Sequence, residues 1–187
     1  MKKLAALALA IAFITPAAMP QAGDKLPEAY SGVAMGVGGA VGAKSTHFDF
    51  RIEKYTTDEE VQRLYTVLKE KGRDSLRREM EKLNVGRIWP TSSVGNTIAV
   101  ARKRQVGDKT VIAIFTARQM NFRELYNSGR SVDYPYGFLQ VNLDKDMKGN
   151  GQFIAAAKLR FDKKKNQLEM ESYGHQYLKA VNVRPRG

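Results

Sequence analysis

The chain has 187 residues, no cysteine, and 31 lysines and arginines against 19 aspartates and glutamates, a formal net charge of +12. Without cysteine there is no disulfide framework, no thiolate metal site and no lipid-attached N-terminal cysteine. A charge of this size is a statement about partners rather than fold: it favours polyanions and anionic surfaces.

The N-terminus has the three parts of a secretory signal. Lys2 and Lys3 form a positive start, residues 4–14 are an apolar run, and small residues (Thr15, Ala17, Ala18, Ala22) follow with Pro16 and Pro20 among them. The run is shorter than the roughly 20 residues that cross a bilayer, and no later segment reaches that length. The expected organisation is a signal peptide over 1–22, removed on export, and a single domain over 23–187. Export without disulfides suits a bacterial envelope, so the expected location is periplasmic or secreted. An anionic lipid, a glycan or another polyanion is then the expected partner, and nucleic acid is not.

In chain order, residues 31–37 read as a strand followed by a Gly38-Gly39 turn. Phe48, Phe50 and Ile52 alternate with Asp49, Arg51 and Glu53, the pattern of a half-buried strand. Thr57 with Glu60 three residues on is a capping box. Val61, Leu64, Tyr65 and Leu68 make one apolar stripe, and Gly72 is placed to end that helix as a left-handed cap. A second helix is expected from about Asp74, with Leu76, Met80 and Leu83 on one face. From Val85 the chain reads as β. Strands over 97–103 and 109–116 flank Gly107-Asp108, strands over 138–143 and 152–162 flank a polar turn, 168–173 returns after a Lys163-Lys164-Lys165-Asn166 turn, and 180–183 adds a short last strand. Tight turns imply antiparallel pairing.

The segment 117–136 joins two strands and carries Arg118, Arg123 and Arg130 with Tyr126, Tyr134 and Tyr136. Arginine forks suit carboxylate or phosphate, and tyrosine gives flat amphipathic contact. These six residues are the candidate ligand-binding set, with an ordinary hairpin as the plainer reading of the segment. Other motifs fail on inspection. GGAVGAKS over 38–45 has Ala43 where a phosphate loop needs glycine. Asp144-x-Asp146-x-Lys148-Gly149 has lysine at a calcium-ligand position and reads as a turn. His47 and Asp49 share a strand face, and a metal or base role would need His175 to join them. Glu169 and Glu171 resemble a carboxylate pair, but a turn centred on Lys164-Lys165 sets Arg160 opposite Glu169 and Lys158 opposite Glu171, so ion pairs account for both. There is no nucleophile motif, and neither a metal site nor a cofactor is expected.

The string Tyr55-Thr-Thr-Asp-Glu-Glu-Val, the Val85-Gly86-Arg87-Ile88 step, Asp133-Tyr134-Pro135-Tyr136 and Gly149-Asn150-Gly151 together resemble a family of secreted bacterial proteins with no assigned activity. Ala117 and Gln119 stand where that family's pattern has an acid and a proline, which removes weight from Arg118. The resemblance implies export and a shared fold, and no mechanism.

The expected fold is therefore α+β: a curved antiparallel sheet of six to eight strands, at most a partial barrel, with a helix pair after the first long strand. The expected function is an exported basic binding module for an anionic or amphiphilic envelope ligand. The alternatives are an envelope enzyme of unknown reaction, which the missing nucleophile disfavours, or an adaptor on an anionic surface polymer. The sequence leaves the ligand and the oligomeric state open.

Overall fold

The computed structural model describes residues 25–36, 44–91, 93–120, 133–162, 167–172 and 178–186. Residues 1–24, with the expected signal peptide, residues 37–43 of the glycine-rich stretch, the expected turn over 163–166 and His175 lie outside them. The strands are β1 (Glu28–Gly36), β2 (Ser45–Ile52), β3 (Gly86–Pro90), β4 (Asn96–Val106), β5 (Lys109–Thr116), β6 (Tyr136–Leu143), β7 (Gly149–Asp162), β8 (Gln167–Ser172) and β9 (Leu178–Pro185), with one helical element, α1 (Asp58–Glu81), after β2.

All neighbours pair antiparallel. Strands β1 to β7 follow one another round the sheet, β9 pairs with both β7 and β1, and the circle closes. The result is an eight-stranded barrel, with β8 carried on the far half of β7 beyond it. The sequence reading of an α+β curved sheet with a helix pair is thus corrected to a closed barrel bearing one helical element. What closes the barrel is the β1–β9 pairing, which joins the two ends of the chain. Register shifts in the β1–β9, β4–β5, β6–β7 and β7–β9 ladders accompany it. Each such irregularity adds local bend and twist, which lets a sheet of this width curl onto itself.

An eight-stranded barrel has an interior just wide enough for side chains to fill or for one small ligand. Here side chains fill it. Phe48, Phe50, Ile52, Ile112, Ile114, Leu139, Val141 and Phe153 are all fully buried in one cluster. Tyr30 stacks on Phe50 at 4.9 Å between ring centroids, and Phe153 meets Phe48 edge-on at 5.6 Å. Burying a side chain of this size contributes about 1.5–3 kcal/mol. One end is closed by Tyr55 and Met147, which pack on the same cluster. Beside them the Glu28 carboxylate takes hydrogen bonds from the Tyr30 and Tyr55 hydroxyls and from Lys103 Nζ, at 2.8–2.9 Å.

The strands β4 to β7 are apolar on their outer side as well. Val100, Phe115, Phe138, Ile154 and Leu159 form a second cluster with Leu64, Leu68, Leu76 and Met80 of α1. The capping box at Thr57 and Glu60 is present as the sequence implied. Gly72 has φ 78° and ψ −176°, so its φ is positive as expected, but its ψ is extended rather than left-handed helical. It therefore breaks the helix, as the sequence implied, and turns the second half of α1 back on the first. Arg63 and Glu79 are 16 residues apart. In a straight helix that spacing is about 24 Å, yet their side chains meet at 2.8 Å.

Candidate functional site

Of the six candidate residues, Arg123, Tyr126 and Arg130 lie outside the described residues. The other three are held by the fold. Tyr136 is fully buried between α1 and the barrel, and its hydroxyl donates to the Arg73 carbonyl at 2.9 Å. Burial pushes its phenol well above the ordinary tyrosine range, because the charged form would lose its solvation. Tyr134 donates to Glu171 Oε1 at 2.6 Å, with Lys158 Nζ 5.5 Å from its ring centroid. Arg118 is exposed, with Nε 3.7 Å from Glu81 Oε1. Tyr134 and Tyr136 thus pin the end of the segment to β8 and α1.

The strand register is the one the turn argument requires, while the hydrogen bond to Glu171 comes from Tyr134. Lys158 faces Glu171 and Arg160 faces Glu169 across the β7–β8 ladder.

A cleft of about 530 Å³ lies on the outer wall where β1, β2, β9 and the β6–β7 turn meet. The backbone makes it. Asn182 has φ 53°, a left-handed conformation that asparagine tolerates better than most residues. Its N–H donates to Asn150 Oδ1 at 3.0 Å, which locks the bulge in β9. The register of β9 slips here against both β1 and β7. Across the cleft the β6–β7 turn is held by Asp144, whose Oδ1 accepts the N–H groups of Asp146 at 2.9 Å and Lys148 at 3.0 Å. The calcium-loop look-alike is therefore a capped hairpin turn.

Three side chains of cationic type line this cleft: His47, Lys148 and Arg184. Among the described residues neither Lys148 nor Arg184 forms an ion pair, and the His47 ring makes no hydrogen bond. The nearby carboxylates are already engaged. Asp144 caps its own turn. Asp49 accepts from the Ser31 hydroxyl at 2.6 Å and from Arg186 at 2.9 Å. His47 and Asp49 do share the outward face of β2, as their spacing implied, but Asp49 is committed to Ser31 and Arg186.

No family model, curated protein or solved structure matches the chain. The chemistry of the cleft has to be read from its own side chains. Among the described residues, two cations without an ion pair, a histidine and the amides of Asn150 and Asn182 offer donors, and the carboxylate lining the cleft, Asp144, accepts two backbone N–H groups at Oδ1. That set suits an anion. It is poorly suited to a metal, and among the described residues no three His, Cys, Asp or Glu side chains gather as a metal site would need.

Sequence reasoning missed Lys148, Arg184, Asn150 and Asn182 as neighbours. They come from three separate stretches that meet only because β9 closes the barrel between β1 and β7. The positive φ of Asn182 was the one local signal, and asparagine alone does not announce it.

Proposed function

We propose that this chain is an exported binding module that holds an anionic group of an envelope ligand in the outer-wall cleft. The observation that carries this reading is the pair of cations Lys148 and Arg184, neither ion-paired among the described residues, on a cleft whose carboxylate, Asp144, accepts two backbone N–H groups at Oδ1. The filled lumen supports it too, since a barrel packed with Phe48, Phe50 and Phe153 directs a ligand to the wall. Removal of residues 1–22 takes Lys2 and Lys3 and leaves 29 basic against 19 acidic residues, a net charge of +10 that raises the local concentration of anions around the molecule. Export rests on the Lys2-Lys3 start, the apolar run over 4–14 and the small residues after it. The engagement of Asp49 by Ser31 and Arg186 favours binding over catalysis by His47 and Asp49.

Calorimetric titration of the mature chain with sulfate, citrate, an acidic oligosaccharide and anionic phospholipid vesicles tests the reading. A binding ligand should lose about ten- to a hundredfold in affinity in Lys148→Ala and similarly in Arg184→Ala. The magnitude follows from charge-assisted hydrogen bonds to an ionised partner, about 1.5–3 kcal/mol each. Binding that survives both substitutions undiminished would remove the cleft as the site.

A further inference from the structure

His47 stands on the cleft wall with an exposed, unpartnered ring. Its surroundings can be set out element by element. On β2 itself the nearest charged group is Asp49. From β1, Val33 lies directly opposite and Ser31 two residues along. From β3, Trp89 faces Asp49, and the backbone and hydroxyl of the adjoining Thr91 bond the His47 carbonyl. Across the cleft are Asp144, Lys148 and Arg184, with Arg186 beyond on Asp49. Of these side chains only histidine is of a type that ordinarily changes charge between pH 5 and 8. Both carboxylates within reach are occupied, Asp49 by Ser31 and Arg186 and Asp144 by two backbone N–H groups. A protonated His47 therefore shares the cleft with two cations that form no ion pair among the described residues, while Asp49 and Asp144 accept hydrogen bonds from other groups. A bound anion would supply the missing counter-charge.

We infer that His47 is the proton-sensitive third cation of the cleft, so that anion binding and protonation of His47 strengthen each other. This rests on the reading of the cleft as an anion site and adds its regulation. The sign follows from linkage. An anion in the cleft favours the imidazolium, so His47 titrates at higher pH in the bound state than in the free state. Affinity then rises as pH falls through the bound-state midpoint and levels off below the free-state midpoint. The gain is moderate, because the cleft is open to water and the added charge is screened. A dianion should bind about fivefold more tightly at pH 5.5 than at pH 8.

Sulfate is the probe, because it stays doubly charged across that range and contributes no titration of its own. Its dissociation constant is measured by nuclear magnetic resonance on the mature chain at pH 5.5, 6.5 and 8.0 and fixed ionic strength. The His47 ring resonances are followed with and without sulfate. The expected result is about fivefold tighter binding at pH 5.5 and an upward move of the His47 midpoint by the same factor. His47→Gln should bind with no pH dependence, while His175→Gln, which changes the only other histidine, should keep it. Sulfate held at the cleft with equal affinity at pH 5.5 and 8.0 would overturn the inference and leave the anion site standing. Persistence of the pH dependence in His47→Gln would overturn it too. Absence of sulfate from the cleft at every pH would remove the anion site and the inference together.

Discussion

Replacing Gly72 by alanine isolates the backbone device that folds α1. A Cβ at position 72 would meet nothing within 4 Å, so no clash contributes. What remains is the conformation, φ 78° and ψ −176°, a region that is essentially glycine's alone and costs other residues about 1–3 kcal/mol. The lower entropy of alanine in the unfolded chain favours the native state and offsets about 0.4–1 kcal/mol of that cost. A net loss of about 1–2 kcal/mol is therefore expected. The chain cannot escape by straightening, because a continuous helix would part Arg63 from Glu79 by about 24 Å and strip Leu76 and Met80 from the outer cluster. Urea unfolding followed by the single tryptophan, Trp89, reads the change. With a slope of about 2 kcal/mol/M the midpoint should fall by roughly 0.5–1 M. Gly107, in the β4–β5 turn at φ 60° and equally free of Cβ contacts, provides the comparison. Its alanine variant should cost no more than about 1 kcal/mol. A neutral or stabilising Gly72→Ala would refute the fold-back at this residue.

A double-mutant cycle on Arg160 and Glu169, which face each other in the β7–β8 ladder, should give a coupling of about 0.2–1 kcal/mol at low salt that shrinks at high salt. Zero coupling at low salt would show that the ladder register brings no ion pair between them. Tyr136 should make the protein sensitive to alkali. Its phenol is held above the ordinary value of 10.0 by burial, so its contribution is intact below that value and is lost as pH rises beyond it toward the folded-state midpoint. Thermal melts between pH 9 and pH 11 should show Tyr136→Phe losing less stability than the wild type, and parallel losses would contradict the assignment.

Local features were legible in the sequence because their causes are local. The period of two in Phe48, Phe50 and Ile52 fixed which face of β2 is buried. The Thr57–Glu60 spacing marked the helix start, and alternating charges on either side of Lys164-Lys165 set the β7–β8 register. Closure was not legible. Neighbouring residues such as Ile114 and Phe115, or Leu139 and Phe138, are buried on opposite faces of one strand. Such runs say that both faces are covered without saying that one cover is the rest of the same sheet. The pairing of β1 with β9 spans nearly the whole domain and leaves no short-range trace. The cleft inherits that difficulty, since Lys148, Arg184 and His47 are brought together by this closure. Gly72 shows a subtler limit: glycine signalled a break with positive φ, but ψ sets the direction in which the second half of α1 leaves, and no side chain encodes it.

The anion site is tested most directly by mapping amide chemical shifts as sulfate is added to isotope-labelled residues 23–187 at pH 5.5. The account predicts saturable changes concentrated at His47, Lys148–Asn150 and Asn182–Arg184, lost together in Lys148→Ala. Changes scattered evenly over the basic surface, rising linearly with sulfate and unaffected by that substitution, would contradict it.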